Sequence, residues 1–175
     1  YGKDWAFASR ARCADLLPTQ PQAILFVGTY KQLAAAIREA RALGMQARFF
    51  SVSFVGTDSF IAEAGADAEG VYISQVVPSP DDTRLPLVRD YRADMHGPLG
   101  YASLEGYIGA AVLVEALRRT GPQPTRAQLV EALESMDLDL GGFHVRFGPK
   151  DHQGSDAVYL TRIEQGRAVS VHRQP

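Results

Sequence analysis

Residues 23–52 decide the fold: Ala23-Ile-Leu-Phe-Val-Gly28, Thr29-Tyr30, a stretch from Lys31 to Leu43-Gly44, and Ala47-Arg-Phe-Phe-Ser-Val52. The first run is apolar without interruption and ends in glycine, which suits a strand buried on both faces of a parallel sheet. Leu33, Ile37 and Ala40 then recur at helical spacing, and Gly44 stands where a C-terminal cap belongs. Ala47 to Val52 returns to a strand pattern. Strand, helix and strand with short connections form a βαβ unit, and its crossover should be right-handed.

Working outward, Asp58 is expected to cap a short helix through Ala64, ended by Gly65. Gly70 to Val77 gives a third strand, halted by Pro78 and Pro80. Pro86 suits the first turn of a helix with the apolar stripe Leu87, Val88, Tyr91 and Met95. Ser103 is expected to cap a longer helix through Arg119, ended by Gly121-Pro122. Thr125-Arg-Ala-Gln128 is a capping box opening a helix that should bury Leu129, Val130, Leu133 and Met136. After Gly141-Gly142 the period changes to two. Phe143 to Phe147 alternates, and strands follow at 157–163 and 168–172 around a Gln165-Gly166 turn. Ahead of Ala23, Tyr1-Gly-Lys-Asp4 reads as a loop and Arg10 to Leu17 as a helix. No strand pattern precedes Ala23, so the wound sheet looks short at its front end. The fold class is α/β: a βαβαβ segment, a helical stretch and a small β-rich tail.

The length of 175 residues fits one domain or lobe, and Lys+Arg 18 against Asp+Glu 20 leaves a net charge of −2. Without a basic excess, neither nucleic-acid binding by phosphate neutralisation nor a polybasic membrane patch is expected. The single cysteine, Cys13, excludes an internal disulfide and a multi-thiolate zinc site within this sequence. No apolar stretch approaches the length of a membrane span.

Catalytic patterns fail one by one. There is no G-x-G-x-x-G and no G-x-S-x-G. Gly65 and Gly70 have phosphate-loop spacing, but Val71 and Tyr72 stand where lysine and a hydroxyl residue are needed. Arg10 and Arg12 beside Cys13 could lower a thiol pKa, although a lone cysteine usually packs as a small apolar side chain. His96, His144, His152 and His172 form no helical metal pair. Asp151-His152 could be an acid–base pair, yet Asp151 to Asp156 is rich in turn formers and reads as a loop. No cofactor is implied.

What remains is the carboxyl end of the parallel strands, where ligands bind in open α/β sheets. Those ends are Gly28-Thr29-Tyr30, Ser51 to Phe54 and Ser74-Gln75. Thr29 can cap the following helix, whose first N–H groups favour an anion. Tyr30 and Phe54 offer aromatic surface, and Ser53 a neutral hydrogen-bonding group. The rim suits a small polar molecule with an apolar portion. Equally, Tyr30 and Phe54 could pack under loops while Ser53 caps a turn.

The order of longer stretches adds to this reading: Tyr1-Gly-Lys-Asp4, Gln20 to Gly28, Ile37 to Gly44, Ser51 to Gly56, Ser103 to Tyr107, Leu140 to Phe143 and Asp151 to Gly154. Together they resemble the substrate-binding proteins of branched-chain amino-acid ABC transporters, the type I periplasmic binding proteins. The resemblance covers almost the whole chain. It implies a three-layer, Rossmann-like α/β lobe with a β-rich C-terminal tail, one lobe over 1–175, short at its N-terminal end. Family members close two lobes on a ligand. The resemblance implies that this chain is the second lobe, without the first lobe and the second lobe's opening strand, so that half the pocket stands open. It places Tyr1 and Tyr30 at two pocket tyrosines and Tyr101 near an aromatic lining the side-chain pocket. It places Ser53 where amino-acid-binding members carry a glutamate that receives the ligand's ammonium.

The implied function is that of a solute-binding component of an importer in the periplasm, with no catalysis. Its partners would be a small amino acid or organic acid and a membrane permease, with no nucleic acid. The same lobes also serve as sensory domains of receptors and regulators. A small α/β enzyme using Asp151 and His152 is a third reading, and an isolated lobe with an open sheet edge invites self-association.

Overall fold

The computed structural model describes residues 4–171, and of residues 4–9 the backbone alone. In chain order the elements are α1 (Asp4–Leu16), β1 (Ala23–Phe26), α2 (Tyr30–Ala42), β2 (Arg48–Val52), α3 (Thr57–Ala64), β3 (Tyr72–Gln75) and α4 (Pro86–Asp94). They continue with α5 (Tyr101–Thr120), α6 (Arg126–Glu134), β4 (Asp137–Asp139), β5 (His144–Arg146), β6 (Tyr159–Glu164) and β7 (Arg167–Ser170). Where the sequence suggests one lobe over 1–175, the contacts sort into two compact units. One takes the chain up to Gln75 together with the residues from Val158 on, and the other is Val76–Ala157. The division falls just after β3, where Pro78 and Pro80 follow the last strand residue.

In the first unit β1, β2 and β3 are parallel, as the βαβαβ pattern predicts, and β6 and β7 join antiparallel in the order β1-β2-β3-β6-β7. The two strands of the expected β-rich tail complete the main sheet. They turn through Gln165 (φ 51°) and Gly166 (φ 73°), two successive left-handed residues that match strand twist in a tight hairpin. One face of the sheet carries Phe49, Ser51, Ile73, Gln75, Thr161 and Ile163, all buried. Leu33, Ile37 and Ala40 of α2, Phe60 and Ala64 of α3 and Cys13 of α1 complete that core. The helical spacing read from the sequence is thus the packing face of α2.

The opposite face holds a row set by register: Leu25, Phe50, Tyr72, Arg162 and Val169. Phe50 and Tyr72 stack with centroids 5.0 Å apart, and the Arg162 guanidinium lies 5.7 Å from the Tyr72 ring. Leu25 and Val169 are exposed.

Two guanidinium groups lash α2 to the chain leaving α3. Arg38 donates to Asp67 at 3.3 Å and to the Glu63 carbonyl at 3.4 Å, and Arg41 donates to the Glu69 carbonyl at 2.5 Å. The carbonyls at a helix end lack intrahelical partners, so these side chains replace the missing donors. The start of α3 differs from expectation. Gly56, with φ 73°, occupies the N-cap and Asp58 lies in the first turn, where its charge still favours the helix dipole.

In the second unit Tyr91 of α4 is fully buried, and its hydroxyl accepts from the Gly100 N–H at 2.9 Å and pairs with Ser103 at 2.6 Å. Ser103 is not the N-cap of α5. Gly100 is, and Ser103 reaches back from the third position to accept the same N–H at 3.0 Å. The Thr125–Gln128 box forms as predicted, with N–H donations of 3.3 Å to Thr125 and 2.9 Å to Gln128. The helix buries less than expected: Ala132 is inside and Val130 exposed, while Met136 is buried just beyond the helix end. β4 and β5 pair as a small antiparallel ribbon, exposing His144 and Arg146 and burying Val145. Gly141, with φ 75°, is required there, because a Cβ would lie 2.7 Å from the Leu87 nitrogen that donates to its carbonyl.

Ile73 lies fully buried at the centre of the sheet, so Ile73→Ala should cost about 2–5 kcal/mol in a urea titration. A change below about 1 kcal/mol would show that the core collapses around the gap. The Tyr107 phenol donates to Asp94 at 2.7 Å and its pKa is pushed up to about 12, by that bond first and then by burial and the charges of Asp94 and Asp90. A raised phenol pKa means that the folded chain holds the proton more tightly than the unfolded one. The bond's contribution is complete below pH 10 and is lost as pH rises toward about 12. Tyr107→Phe should therefore flatten the fall of Tm across that window, and identical falls in both proteins would contradict this assignment.

Candidate functional site

The rim belongs to the first unit and is built by β1, β2 and β3 ending side by side. Phe26 stands in register with Ser51, and the Ser51 hydroxyl donates to the Phe26 carbonyl at 2.9 Å, pinning the two strand ends together. The chain then leaves β1 through Gly28 and Thr29 into α2, and leaves β2 through a tight turn at Ser53–Val55 into α3. Four of the sequence-predicted residues, Thr29, Tyr30, Ser53 and Phe54, thus lie at one end of one sheet.

Each is held differently. Thr29 is the N-cap of α2, and its N–H donates to the Gln32 side chain at 3.2 Å. Gly28 allows this approach, since a Cβ would lie 2.9 Å from the Phe26 ring and 3.0 Å from the Gln32 oxygen. Tyr30 is half-buried against the core with the Lys31 ammonium 5.8 Å from its ring. Ser53 is half-buried and its carbonyl accepts from the Gly56 N–H at 3.0 Å, while the neighbouring Val55 is locked inside. Phe54 is 70% exposed, so it does not pack under a loop. Thr29, Ser53 and the first turn of α2 give the rim neutral polar groups and a partial positive charge; Tyr30 and Phe54 give it aromatic surface.

The remaining two positions stand elsewhere. Tyr1 lies outside the described residues. Tyr101 is the first residue of α5 in the second unit, and its ring is buried. Sequence reasoning missed the support beneath the rim. Gln75, buried at the end of β3, donates to Thr57 at 2.8 Å and to Thr161 at 3.3 Å, and Thr161 donates to the Ile73 carbonyl at 2.8 Å. A glutamine set within Val71 to Val77 was the available signal.

Asp151 and His152 make no hydrogen bond to each other. His152 lies 3.0 Å from Glu134, and Asp151 accepts from the Gln153 N–H at 3.0 Å, so the two are engaged by separate neighbours. Cys13 is 8% exposed, with its thiol 3.6 Å from the Ala36 carbonyl. Burial, and secondarily the charge of Glu39, raise its pKa. Arg10, one of the residues that might have lowered it, pairs with Glu39 at 3.2 Å. Among the described residues no group of His, Cys, Asp and Glu could hold a metal ion, and no helix is long and apolar enough to cross a membrane.

A family model described as periplasmic binding protein matches residues 11–168, nearly the whole chain. The chain belongs to this family of periplasmic binding proteins. A possible leucine/isoleucine/valine-binding protein from Rhodopirellula baltica is 38% identical over 91% of this chain, with a TM-score of 0.85. An extracellular ligand-binding receptor from Verminephrobacter eiseniae is 30% identical over 94% of the chain, with a TM-score of 0.80. A Thermus thermophilus branched-chain amino acid ABC transporter protein with bound valine shares the fold at 20% identity, with 93% of this chain covered and a TM-score of 0.77. The chain spans 46%, 49% and 48% of the lengths of those three proteins. No curated protein matches it. The mixed α/β sheet with its parallel strands fits a lobe of this binding-protein family.

The raised thiol pKa carries its own test. At pH 8 Cys13 should react with a disulfide reagent at least about tenfold more slowly than a free thiol, and at full rate in denaturant. Fast labelling of the folded chain would contradict its burial.

Proposed function

We propose that this periplasmic binding protein is a solute-binding component of an ABC importer, acting in the periplasm without catalysis. It would take a small ligand at the Thr29–Tyr30 and Ser53–Phe54 rim and pass it to a membrane permease. The observation that carries the reading is the rim itself: two adjacent parallel strands end in a capped helix N-terminus and an exposed aromatic turn. The family supports the role, and two of the similar proteins are a possible leucine/isoleucine/valine-binding protein and a branched-chain amino acid ABC transporter protein.

Ser53 guides the ligand class. A ligand ammonium is best held by a carboxylate, because a charge-assisted hydrogen bond is roughly twice as strong as a neutral one. With serine at the position where the resemblance expects glutamate, the positive end of an amino acid loses its main contact. The first turn of α2 meanwhile favours a carboxylate. The proposed ligand is an organic acid, an aromatic acid or an amide. Tyr1 and Tyr101 are proposed as further contacts by the same resemblance.

Backbone amide resonances test this directly, since they detect weak binding. Short-chain and aromatic carboxylates should shift the signals of Gly28–Lys31 and Ser53–Phe54, with Kd of roughly millimolar, as for a small ligand held by a few polar contacts. Tyr30→Ala should weaken the shifts at least about fivefold. Tighter binding of leucine or valine than of the matching acids would overturn the ligand class. No response at the rim to any of these compounds would overturn the site.

A further inference from the structure

The buried face of β3 carries an amide among apolar side chains. Val71 and Ile73 are fully buried, and Gln75, two positions on, is buried with them. Apolar side chains of the same shape at Gln75 and its partners would fill this space at nearly the same stability, because folding only exchanges bonds to water for bonds to protein. Filling space therefore does not account for the glutamine, and its bonds do. The amide nitrogen donates to the Thr57 hydroxyl at 2.8 Å and to the Thr161 hydroxyl at 3.3 Å, and Thr161 donates onward to the Ile73 carbonyl at 2.8 Å. All three side chains are buried, so bulk water does not compete for these bonds.

Each partner stands at a joint. Thr57 opens α3, directly after the Ser53–Val55 turn and Gly56. The Gly56 N–H donates to the Ser53 carbonyl at 3.0 Å, and the Gly56 carbonyl accepts from the Phe60 N–H at 2.8 Å. Turn and helix start are thus one hydrogen-bonded piece, anchored by the buried Val55 on one side of Gly56 and by Thr57 on the other. On the sheet side, Gln75 pairs in register with Tyr159 of β6, and the chain leaves this unit just after Gln75 and re-enters it at Val158. The amide joins the turn to the two strands at the place where the chain departs and returns.

We infer that Gln75 is a positioning residue for the rim: it holds the Ser53–Phe54 turn in place over the ends of β3 and β6, and through it a ligand on that turn is registered where the chain leaves and re-enters the unit. The inference rests on the rim being the ligand site. Gln75 acts through Thr57, not by contact. A nitrogen shared between hydroxyls on two different elements satisfies both from one position only, which is how a small buried network specifies geometry. The tie also works in both directions, since whatever a ligand does to the network, a change in the network does to the ligand.

Amide resonances of the 175-residue chain, with benzoate and isovalerate as probes, test this. In the unmodified chain the side-chain NH2 signals of Gln75 should move with the same Kd as the Phe54 amide. Thr57→Val keeps the shape and removes the acceptor. It should weaken the response of Ser53–Phe54 to both probes at least about fivefold and abolish the movement at Gln75. Without any probe, it should speed exchange of the Gly56 amide at least about fivefold. Thr57→Ser keeps the hydroxyl and sheds the methyl, and should restore all three readouts, the two rates to within about twofold. Packing alone would give the reverse order, because valine fills the site and serine leaves a gap. Gln75→Leu should match Thr57→Val, and the two together should lose no more than either, since both remove the same bond. Should Gln75→Leu fail to fold, the Thr57 pair decides. Equal binding and equal Gly56 exchange in Thr57→Val and Thr57→Ser overturn the inference, as does a Gln75 side chain that stays still while Phe54 responds. A rim that answers neither probe in the unmodified chain overturns the site and with it the registration of a ligand. The Gly56 exchange then decides by itself whether Gln75 holds the turn.

Discussion

The buried amide of Gln75 is the contact on which the candidate rim of the first unit depends. An amide inside a core is tolerated only when hydrogen-bonded, and leaving it unsatisfied costs about 1–3 kcal/mol. Gln75 meets that demand with Thr57 at the start of α3 and Thr161 on β6, and Thr161 is in turn tied to the Ile73 carbonyl. Residues far apart in sequence are thereby knotted beneath the rim. The late strand β6 is thus a condition for the geometry of loops formed early in the chain, and the antiparallel half of the sheet serves the parallel half.

Much of this was legible in the residues. The apolar run at Ala23, the 3.6-residue spacing of α2 and the turn at Gln165-Gly166 are local signals, and each element formed where its signal lay. The Thr125–Gln128 box was equally local. What the sequence concealed was non-local. Nothing in Ala157 to Ile163 reveals that this strand pairs with β3 and not in a separate ribbon, because an alternating strand is indifferent to which sheet supplies its partner. The short strand Asp137–Asp139 is two-thirds acidic and carries no strand signal of its own; it forms because β5 supplies the ladder. Helix caps misled in a smaller way. Asp58 and Ser103 are good capping types, yet each lies inside its helix while glycine takes the cap; at Gly56 the left-handed backbone, φ 73°, favours glycine, whereas Gly100 is extended and receives the back-reaching Ser103.

At the rim, sequence and structure agree on place more than on detail. Strand order alone sets Thr29, Tyr30, Ser53 and Phe54 at one sheet end, because parallel strands all finish at the same side. Whether an aromatic there faces solvent depends on the turn. Val55 enters the core and so turns Phe54 outward. The chemistry offered is correspondingly passive: oriented N–H groups, hydroxyls and rings, with the reactive residue types elsewhere and already engaged. Cys13 and His152 illustrate this, the first buried against a helix carbonyl and the second bound to a glutamate.

The lashings from Arg38 and Arg41 to the segment after α3 have a mechanical meaning. α2 carries Thr29 and Tyr30 at its head, and α3 follows directly from the Ser53–Val55 turn. With the two helices tied across their far ends and packed along their length, the two halves of the rim move as one block. Their spacing then behaves as a fixed gauge, against which a ligand at the proposed rim would be sorted by fit.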